Sequence, residues 1–591
     1  MDRTGIIVVS LCAILLLLSF YEQQKYYSHL PPPPTGTNTL AAVPATSASG
    51  ALSGTTAVPG FSCDTNIPEQ TLVLANKRAR YTFTSRGGGL KLVELLDYPE
   101  TISARWKIEN TTLSNGVATL NTRAAVPVLT VWGDAGFVGN GVFSLRKTDN
   151  GVRAEKSFTN GLRLVKEFYL SSNYLVNASV RLENTSGQPL ALPAQELVVG
   201  TATPMGPDDS TYSMYEGAMW FDGGSPHDTP VSWFSGAGFG CFHGSPRSEF
   251  IAGSNNVVWA AAHNQFFALL AMPKLPAEQI VARPVTLPLY PNVEPIPGAP
   301  PPQGVQTSLV YPAQTLATNQ TVERQIVLYA GPKEYRTLAG IGAQFENHAD
   351  NVMGFYGFFG FCAKPLLLAM NWLHDITKLG YGGVIVLITI LLRAVFWPLM
   401  AKSTRSMKRM AALAPELKAL QQKYKDDVQK LTSKQWELYR KHKVSPMSGC
   451  LPMLIQTPVF IGFFTMLRSA IELRGARFLW ARDLSKPDTL FMIPGINFPF
   501  NLLPLLMGGA MLWQSHLTPP SPGMDPTQAK IMRYLPLIFL IFLYNYSAGL
   551  ALYWTVNNLL TILQTKLTKN LRDPSAPVAN PALTPVSKKK K

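Results

Sequence analysis

The sequence is poor in charge and in the residue patterns that mark catalytic or metal sites. Only 15% of its residues are charged, against 46% that are hydrophobic. The five cysteines are widely separated with no CxxC pair, so metal or redox chemistry has little support. HExxH, GxSxG and Walker patterns are absent, and Gly87-Gly88-Gly89 lacks a GK[ST] continuation. These absences predict a protein that is not an enzyme and binds no metal or cofactor.

The positive charge is concentrated in two places. The formal net charge is +16, of which residues 402–443 supply +8 and residues 566–591 supply +6. Cationic segments beside apolar runs are typical of the cytoplasmic side of a membrane protein. The basic tail at residues 571–591 would also attract ribosomal RNA, whereas DNA binding is not expected. We therefore expect both segments to be cytoplasmic.

An apolar run at residues 5–20 follows Arg3 and has no small-x-small cleavage site after it. A signal peptide is the alternative, but the pattern favours an uncleaved anchor at residues 1–24, with the N-terminus in the cytoplasm. Residues 25–60 are rich in Pro, Ala, Ser and Thr and are expected to form a periplasmic linker.

Residues 61–345 alternate between apolar and polar side chains with a period of two. One face of residues 176–183 carries Val176, Ala178, Val180 and Leu182, which is the pattern of a half-buried strand. A region of this length predicts a large all-β sandwich, placed outside the cytoplasm because it follows the anchor. Cys63 and Cys241 could pair there, but their spacing does not establish a disulfide.

The C-terminal part has the composition of an α-helical polytopic membrane protein. Residues 346–380 include an amphipathic stretch that is too short and polar to span, and we expect it to lie on the outer membrane face. With the anchor, five further apolar segments predict six transmembrane helices with both termini cytoplasmic. The five segments are residues 381–400, 450–467, 498–514, 532–546 and 549–565.

Residues 402–443 are polar yet helix-prone. Ala414-Pro415-Glu416 is a good helix start, with proline in the first turn and an acid near the positive end of the helix dipole. Two short amphipathic helices joined near Lys425 would form a cytoplasmic hairpin. Such a hairpin is either a solvated surface or a docking element, and the sequence leaves both open.

Arg393 is the most informative residue, because it lies within an otherwise apolar span. An arginine near a helix centre costs roughly 2.5–3.5 kcal/mol on insertion scales. Thr389 and Trp397, each four residues away, share its helix face. Arg393 either snorkels to the inner headgroups or lies in a water-filled cavity within the bundle. In the second case a polar lining could come from four residues, which are Gln456, Tyr544, Asn557 and Thr561.

Several motifs resemble those of the YidC family of membrane protein insertases. They include residues 391–399 (LLRAVFWPL), residues 443–460 (KVSPMSGCLPMLIQTPVF) and residues 549–554 (GLALYW). The similarity covers most of residues 364–569 in family order. The β region agrees less tightly, yet it is similar to the periplasmic β-supersandwich of Gram-negative members. The resemblance assigns residues 381–570 to an insertase core.

The resemblance implies a five-helix core around a hydrophilic groove that is open to the cytoplasm and to lipid but closed outside. It places Arg393, Thr389 and Gln456 in the groove, beside Asn557 and Thr561. A sliding surface for the substrate helix is expected from four aromatic residues, which are Phe460, Phe464, Tyr553 and Trp554. Trp554 replaces a tyrosine that is common in the family, so the hydroxyl is lost.

The partners that the resemblance implies are nascent membrane proteins, the lipid bilayer and, for larger substrates, the Sec translocon. The ribosome would bind through the basic tail and the cytoplasmic hairpin, and the protein would reside in the bacterial inner membrane. Two alternatives are a membrane transporter, although paired inverted repeats are not apparent, and a periplasmic carbohydrate-binding scaffold.

Overall fold

The computed structural model describes most of the β region and the helices that follow it. The described residues are 63–64, 66–100, 116–133, 139–205, 215–235, 245–289, 301–425, 427–442, 444, 451–495, 498–517 and 526–569. The predicted anchor, linker and basic tail lie outside these residues, as do Cys12, Cys241 and Cys450. Cys63 is described and its thiol is free.

Among the residues that the structure describes, twenty strands precede the helical part. They are β1 (Thr71–Ala75), β2 (Ala79–Thr84), β3 (Gly89–Pro99), β4 (Val117–Leu120), β5 (Val131–Trp132), β6 (Ser144–Thr148), β7 (Gly151–Ser157), β8 (Leu162–Leu170), β9 (Leu175–Asn184), β10 (Leu190–Leu192), β11 (Gln195–Ala202), β12 (Gly217–Phe221), β13 (Pro226–Pro230), β14 (Phe250–Ala252), β15 (Trp259–His263), β16 (Phe267–Pro273), β17 (Gln279–Thr286), β18 (Gln303–Tyr311), β19 (Gln314–Leu316) and β20 (Thr321–Pro332). A short helix, α1 (Val231–Phe234), follows β13.

The strands form a large antiparallel sandwich, which confirms the predicted β-rich domain. A nine-stranded sheet has the order β13-β12-β15-β16-β20-β9-β8-β7-β6, and a five-stranded sheet has the order β14-β17-β18-β11-β5. Strands β11 and β18 contact β15 across the space between the two sheets. In β9, between β8 and β20, the predicted apolar face is buried, with Val176, Val180 and Leu182 each at 0% exposure. The alternating pattern therefore identified the core face correctly.

The helical part follows β20. Its helices are α2 (Tyr335–Phe345), a 3-10 turn (Ala349–Met353), α3 (Gly357–Thr377), α4 (Tyr381–Ala412), α5 (Ala414–Lys423), α6 (Val428–Lys441), α7 (Leu451–Ser469), a 3-10 turn (Ile471–Leu473), α8 (Leu502–Leu517), α9 (Pro526–Leu543) and α10 (Ala548–Lys569). A two-stranded hairpin, β21 (Thr489–Ile493) and β22 (Phe498–Asn501), lies before α8.

In the described part of the chain, one helix is long and apolar enough to cross a membrane. This helix is α4, with 32 residues and a mean hydropathy of 2.3 over its most apolar window. A shorter apolar stretch occupies Arg533–Leu543. The predicted interfacial segment at residues 346–380 contains the 3-10 turn Ala349–Met353 and α3, Gly357–Thr377. The count of six spans stays a prediction.

The predicted span at residues 498–514 was wrong for its first four residues. Phe498–Asn501 forms β22, which pairs with Thr489–Ile493, and α8 begins only at Leu502. The side chain of Asp488 explains this start, because its Oδ2 accepts a hydrogen bond from the backbone N–H of Leu503 at 2.7 Å. A carboxylate at that position satisfies an amide that has no partner within the helix.

The helices pack into one bundle that also contacts the β domain. Helix α3 packs on α7, while α10 packs on both α4 and α8. At the C-terminal end of α7, Gln265 Nε2 donates to the carbonyl oxygen of Arg468 at 2.8 Å. Arg474 Nη2 donates to the carbonyl oxygen of Glu100 at 2.8 Å and its guanidinium lies 5.3 Å from the Phe267 ring. These bonds join the sandwich to the bundle.

The predicted cytoplasmic hairpin consists of α5 and α6. As expected, α5 has proline at its start and Glu416 in its first turn. Asp427 caps α6, since its Oδ1 accepts from the backbone N–H of Lys430 at 2.9 Å. A small core of Leu413, Leu417 and Val444 holds the two helices together. The preceding helix α4 runs continuously to Ala412, twelve residues beyond the predicted end of its span.

A polar cavity and an aromatic surface in the helix bundle

Arg393 reaches from α4 to α10, where two residues hold its guanidinium. Its Nε donates to Asn557 Oδ1 at 2.9 Å, and its Nη2 donates to the Asn557 carbonyl oxygen at 3.2 Å and to Thr561 Oγ1. Asn557 and Thr561 are four residues apart, so they lie one turn apart on the same face of α10. No carboxylate lies within ion-pair distance of Arg393 among the residues that the structure describes. The guanidinium is therefore held by neutral acceptors and keeps its charge.

A cavity lies beside this guanidinium, between α4, α7 and α10. Its volume is about 30 Å³, and one water needs about 10–15 Å³. The cavity can therefore hold water next to the charge. Its lining consists of Thr389, Leu392, Arg393, Phe396, Met400, Gln456, Val459, Tyr553 and Asn557.

Two hydroxyl groups near Arg393 donate to backbone carbonyl oxygens and can still accept hydrogen bonds. Thr389 Oγ1 donates to the Ile385 carbonyl oxygen at 2.6 Å, and Thr561 Oγ1 donates to the Asn557 carbonyl oxygen at 2.8 Å. Each hydroxyl has one donor hydrogen, so its oxygen lone pairs remain available to a guanidinium or to water. This explains how Thr561 accepts from Arg393 within an apolar bundle.

Aromatic rings from α7, α9 and α10 form a contiguous surface, which we call the aromatic surface. Trp554 lies 4.5 Å from Phe460 and 5.9 Å from Phe539, measured between ring centroids. Phe464 lies 6.2 Å from Phe460 and 5.6 Å from Tyr546. The structure thus brings Phe460, Phe464 and Trp554 together. Part of this surface is accessible, since Phe539 is 43% exposed.

Tyr553 occupies a different place from its neighbour Trp554. Its side chain is only 2% exposed and lines the cavity next to Arg393. Its ring stacks on Phe463 at 4.2 Å, with an angle of 17° between the planes. Consecutive residues of a helix point about 100° apart, which places Tyr553 at the cavity and Trp554 at the aromatic surface.

The sequence analysis missed three features of this region and misplaced two residues, Tyr544 and Tyr553, the second of which was expected on the sliding surface but lines the cavity. Gln564 Nε2 donates to the Trp397 carbonyl oxygen at 3.4 Å, Phe463 supports Tyr553, and Asn558 Nδ2 is buried without a hydrogen-bond partner among the described residues. The spacing of Gln564, three residues after Thr561, was the available signal. Tyr544 lies outside the cavity, because its hydroxyl donates to the Pro499 carbonyl oxygen in β22 at 2.7 Å.

Two family models match the chain, one for each part of the structure. The model described as "YidC periplasmic domain" matches residues 71–369, which include the β sandwich. The model described as "60Kd inner membrane protein" matches residues 372–575, which include the cavity and the aromatic surface. Together they cover nearly all the described residues.

The similar proteins are named membrane protein insertase YidC. The membrane protein insertase YidC of Polynucleobacter asymbioticus is 35% identical over 415 residues, or 68% of this chain and 67% of that protein. The YidC of Francisella philomiragia is 31% identical over 73% of this chain and 72% of that protein. That of Pelobacter propionicus is 42% identical over 44% of this chain and 47% of that protein. Among these relatives, the matched part spans from 47% to 72% of their length.

Proposed function

This chain belongs to the YidC family of membrane protein insertases, and we propose that it inserts and helps to fold integral membrane proteins. Members of this family are inner-membrane proteins with a periplasmic domain. The relatives are named as insertases rather than enzymes, which agrees with the prediction of a non-enzymatic protein.

The observation that carries the proposal is the uncompensated guanidinium of Arg393 beside a cavity that can hold water. Its bonds to Asn557 and Thr561 fix its position without neutralising its charge. A charge placed in this way attracts an anionic segment more strongly than it would in bulk water, because the surroundings are less polarisable. A substrate segment with acidic residues would be drawn into the bundle from the cytoplasmic side.

The cavity lowers the cost of moving a polar segment across the membrane. Each unsatisfied backbone group in hydrocarbon costs several kcal/mol, so a hydrated path through part of the bilayer removes part of that barrier. Thr389 and Gln456 add polar surface to the same cavity. The driving force comes from the substrate's own apolar helix as it partitions into lipid. No nucleotide is required for this step.

The aromatic surface provides the route for the substrate's transmembrane helix. Phe460, Phe464 and Trp554 form a continuous apolar wall near the polar cavity. A hydrophobic helix can slide along such a wall while its polar end remains in the cavity. The two surfaces together suit a hairpin substrate with one polar and one apolar part.

We propose six transmembrane helices with both termini in the cytoplasm and the β sandwich in the periplasm. In this orientation the hairpin of α5 and α6 and the basic tail face the ribosome. Small substrates would be inserted by this protein alone, and larger ones together with the Sec translocon.

Purified protein in liposomes provides the direct test. A short substrate with two transmembrane segments and an acidic loop should become protected from external protease only when the protein is present. Liposomes without protein, and liposomes with an unrelated polytopic membrane protein, are the controls. Equal protection in all three preparations would contradict the proposed function.

A further inference from the structure

A hydrogen bond between two polar side chains links α3 to the outer end of α7. Glu472 lies in the 3-10 turn Ile471–Leu473, directly after α7. Its Oε1 accepts a hydrogen bond from Asn371 Nδ2 at 2.7 Å, and Asn371 is part of α3. The two residues are 101 positions apart in the sequence. This contact therefore fixes how the end of α7 sits against α3.

Each of these two side chains has a second polar atom that is buried and unsatisfied. Glu472 Oε2 and Asn371 Oδ1 are closed off from solvent, and neither has a hydrogen-bond partner among the described residues. If the carboxyl group is ionised, both atoms are acceptors and neither can bond to the other. A buried acceptor without a donor has lost its bonds to water and gained none in exchange, so the ionised arrangement is unfavourable.

A single proton satisfies both atoms. A protonated carboxyl group carries one O–H donor, and the amide group carries an acceptor beside its donor. Each group is planar and carries its two polar atoms on the same carbon, so the two groups can face each other edge to edge. Once Nδ2 of Asn371 bonds to Oε1 of Glu472, a proton on Oε2 can bond to Oδ1 of Asn371. The pair is then closed by two hydrogen bonds in a ring.

Burial also favours the protonated acid. It is the main cause that raises the pKa of the Glu472 carboxyl group, against the lowering effect of the hydrogen bonds from Asn371 and from the backbone N–H of Glu472 itself. The negative charge of Glu334 raises the pKa further. Arg336 acts in the opposite direction, but its guanidinium is paired with Asp375 at 2.8 Å. Two other titratable groups face the carboxyl group, the phenols of Tyr98 and Tyr381. Neither phenol supplies a positive charge.

We propose that Glu472 is protonated in the folded protein and forms with Asn371 a doubly hydrogen-bonded clamp that positions α7. Helix α7 carries Gln456 of the cavity and Phe460 of the aromatic surface, so the clamp holds one wall of both. Loss of the proton breaks one of the two bonds and places a charge in a buried site. The clamp then opens, which makes the outer end of α7 sensitive to the pH outside the cell. This consequence for insertion rests on the proposed function, whereas the clamp itself does not.

Hydrogen exchange on the whole chain in detergent, without substrate, tests the clamp. After correction for intrinsic rates, exchange in the last turn of α7 should become about tenfold faster as rising pH removes the proton. A tenfold change corresponds to the loss of roughly one hydrogen bond. In Glu472→Gln, the amide replaces both bonds, so exchange should stay slow at every pH. In Asn371→Leu, exchange should be fast at every pH. An identical pH response in the wild type and in Glu472→Gln would overturn the proposal.

Infrared spectroscopy gives a second, independent readout. The carbonyl band of a protonated carboxyl group should be present in the wild type and missing from Glu472→Gln. It should therefore appear when the spectrum of Glu472→Gln is subtracted from that of the wild type. The exchanged pair Asn371→Asp with Glu472→Gln should restore both the band and slow exchange, because the acid and the amide only trade places. Absence of the band at all pH values would contradict the proposal, even if the protein inserts substrates. Conversely, a failed insertion assay with this band present would count against the proposed function alone.

Discussion

The guanidinium of Arg393 and the side-chain amide of Asn557 form a hydrogen bond of 2.9 Å between residues 164 positions apart. This bond joins the middle of α4 to α10 across the polar cavity. It fixes the positive charge in the bundle interior and leaves that charge unneutralised. The proposed attraction of acidic substrate segments depends on this unneutralised charge.

Two replacements of Asn557 should distinguish the effect of the charge of Arg393 from the effect of the bond that positions it. Asn557→Asp would form an ion pair with the guanidinium and should reduce insertion of substrates with acidic outer segments several-fold. Asn557→Ala removes the side-chain bond, so it should lower the free energy of unfolding by about 1–3 kcal/mol but keep the charge. Insertion in liposomes and denaturant unfolding measure the two effects. Equal insertion of acidic substrates by Asn557→Asp and the wild type would contradict the role of charge.

The contact between Phe460 and Trp554 should contribute measurable coupling to the stability of the bundle. A double-mutant cycle with Phe460→Leu and Trp554→Leu should give a coupling energy of about 0.5–1.5 kcal/mol, because the rings meet edge to face. Unfolding in mixed micelles provides the measurement. The matched control is Phe464→Leu combined with Trp554→Leu, because the Phe464 ring packs on Tyr546 instead. Additive effects in the first cycle would show that the contact is energetically neutral.

The structure assigns a pH dependence to the β domain through Lys166. This side chain is 0% exposed and donates to the Gly87 carbonyl oxygen at 2.7 Å, while burial lowers its pKa from 10.5 to about 7. Between these values the unfolded chain binds one proton more than the folded chain, so stability rises with pH and is lost as the pH falls through about 7.

Lys166→Met should therefore reduce the slope of unfolding free energy against pH in that window by about 1.4 kcal/mol per pH unit. Pulse proteolysis in urea, scored on the β domain, measures this slope. The control is Lys147→Met at an exposed position of β6, which should leave the slope unchanged. A wild-type slope in Lys166→Met would mean that Lys166 is charged in the folded state.

Membrane orientation can be tested with single cysteines in a cysteine-free chain. Ser433 in α6 and Ser254 in the β domain are both exposed. A membrane-impermeant thiol reagent added to intact cells with a permeabilised outer membrane should label Ser254→Cys and leave Ser433→Cys unmodified. Lysis should make both reactive. Labelling of Ser433→Cys in intact cells would reverse the proposed topology.

The sequence predicted periodic features better than it predicted tertiary partners. The buried face of β9 and the start of α5 follow from local patterns, and both were correct. The start of α8 was wrong, because an apolar run such as Phe498–Asn501 fits a strand as well as a helix and the pairing with Thr489–Ile493 decides the outcome.

In the candidate site too, the sequence predicted what depends on one helix and missed what depends on contacts between helices. The cost of a charge in a span marked Arg393 as important. The partners of this residue lie on α10, and a single sequence does not state which helices are neighbours. The divergence of Tyr553 and Trp554 toward two different surfaces likewise depends on how α10 is rotated in the bundle. Asn371 and Glu472 were missed because a polar residue of either type is common in a sequence. Only the structure shows that they are in contact and that their second polar atoms are buried.

The most direct test of the electrostatic role of Arg393 compares Arg393→Lys with Arg393→Ala. Each variant is given two substrates that differ only in the charge of their outer segment. Lysine keeps the positive charge without the fork geometry of the guanidinium, so Arg393→Lys should retain much of the activity on both substrates. Arg393→Ala should lose insertion of the acidic substrate while the neutral substrate is less affected. The measurement is the fraction of each substrate that is protected from protease in liposomes that contain the folded variant. Equal insertion of both substrates by Arg393→Ala, at the wild-type level, would contradict the proposal that the charge of Arg393 attracts acidic segments.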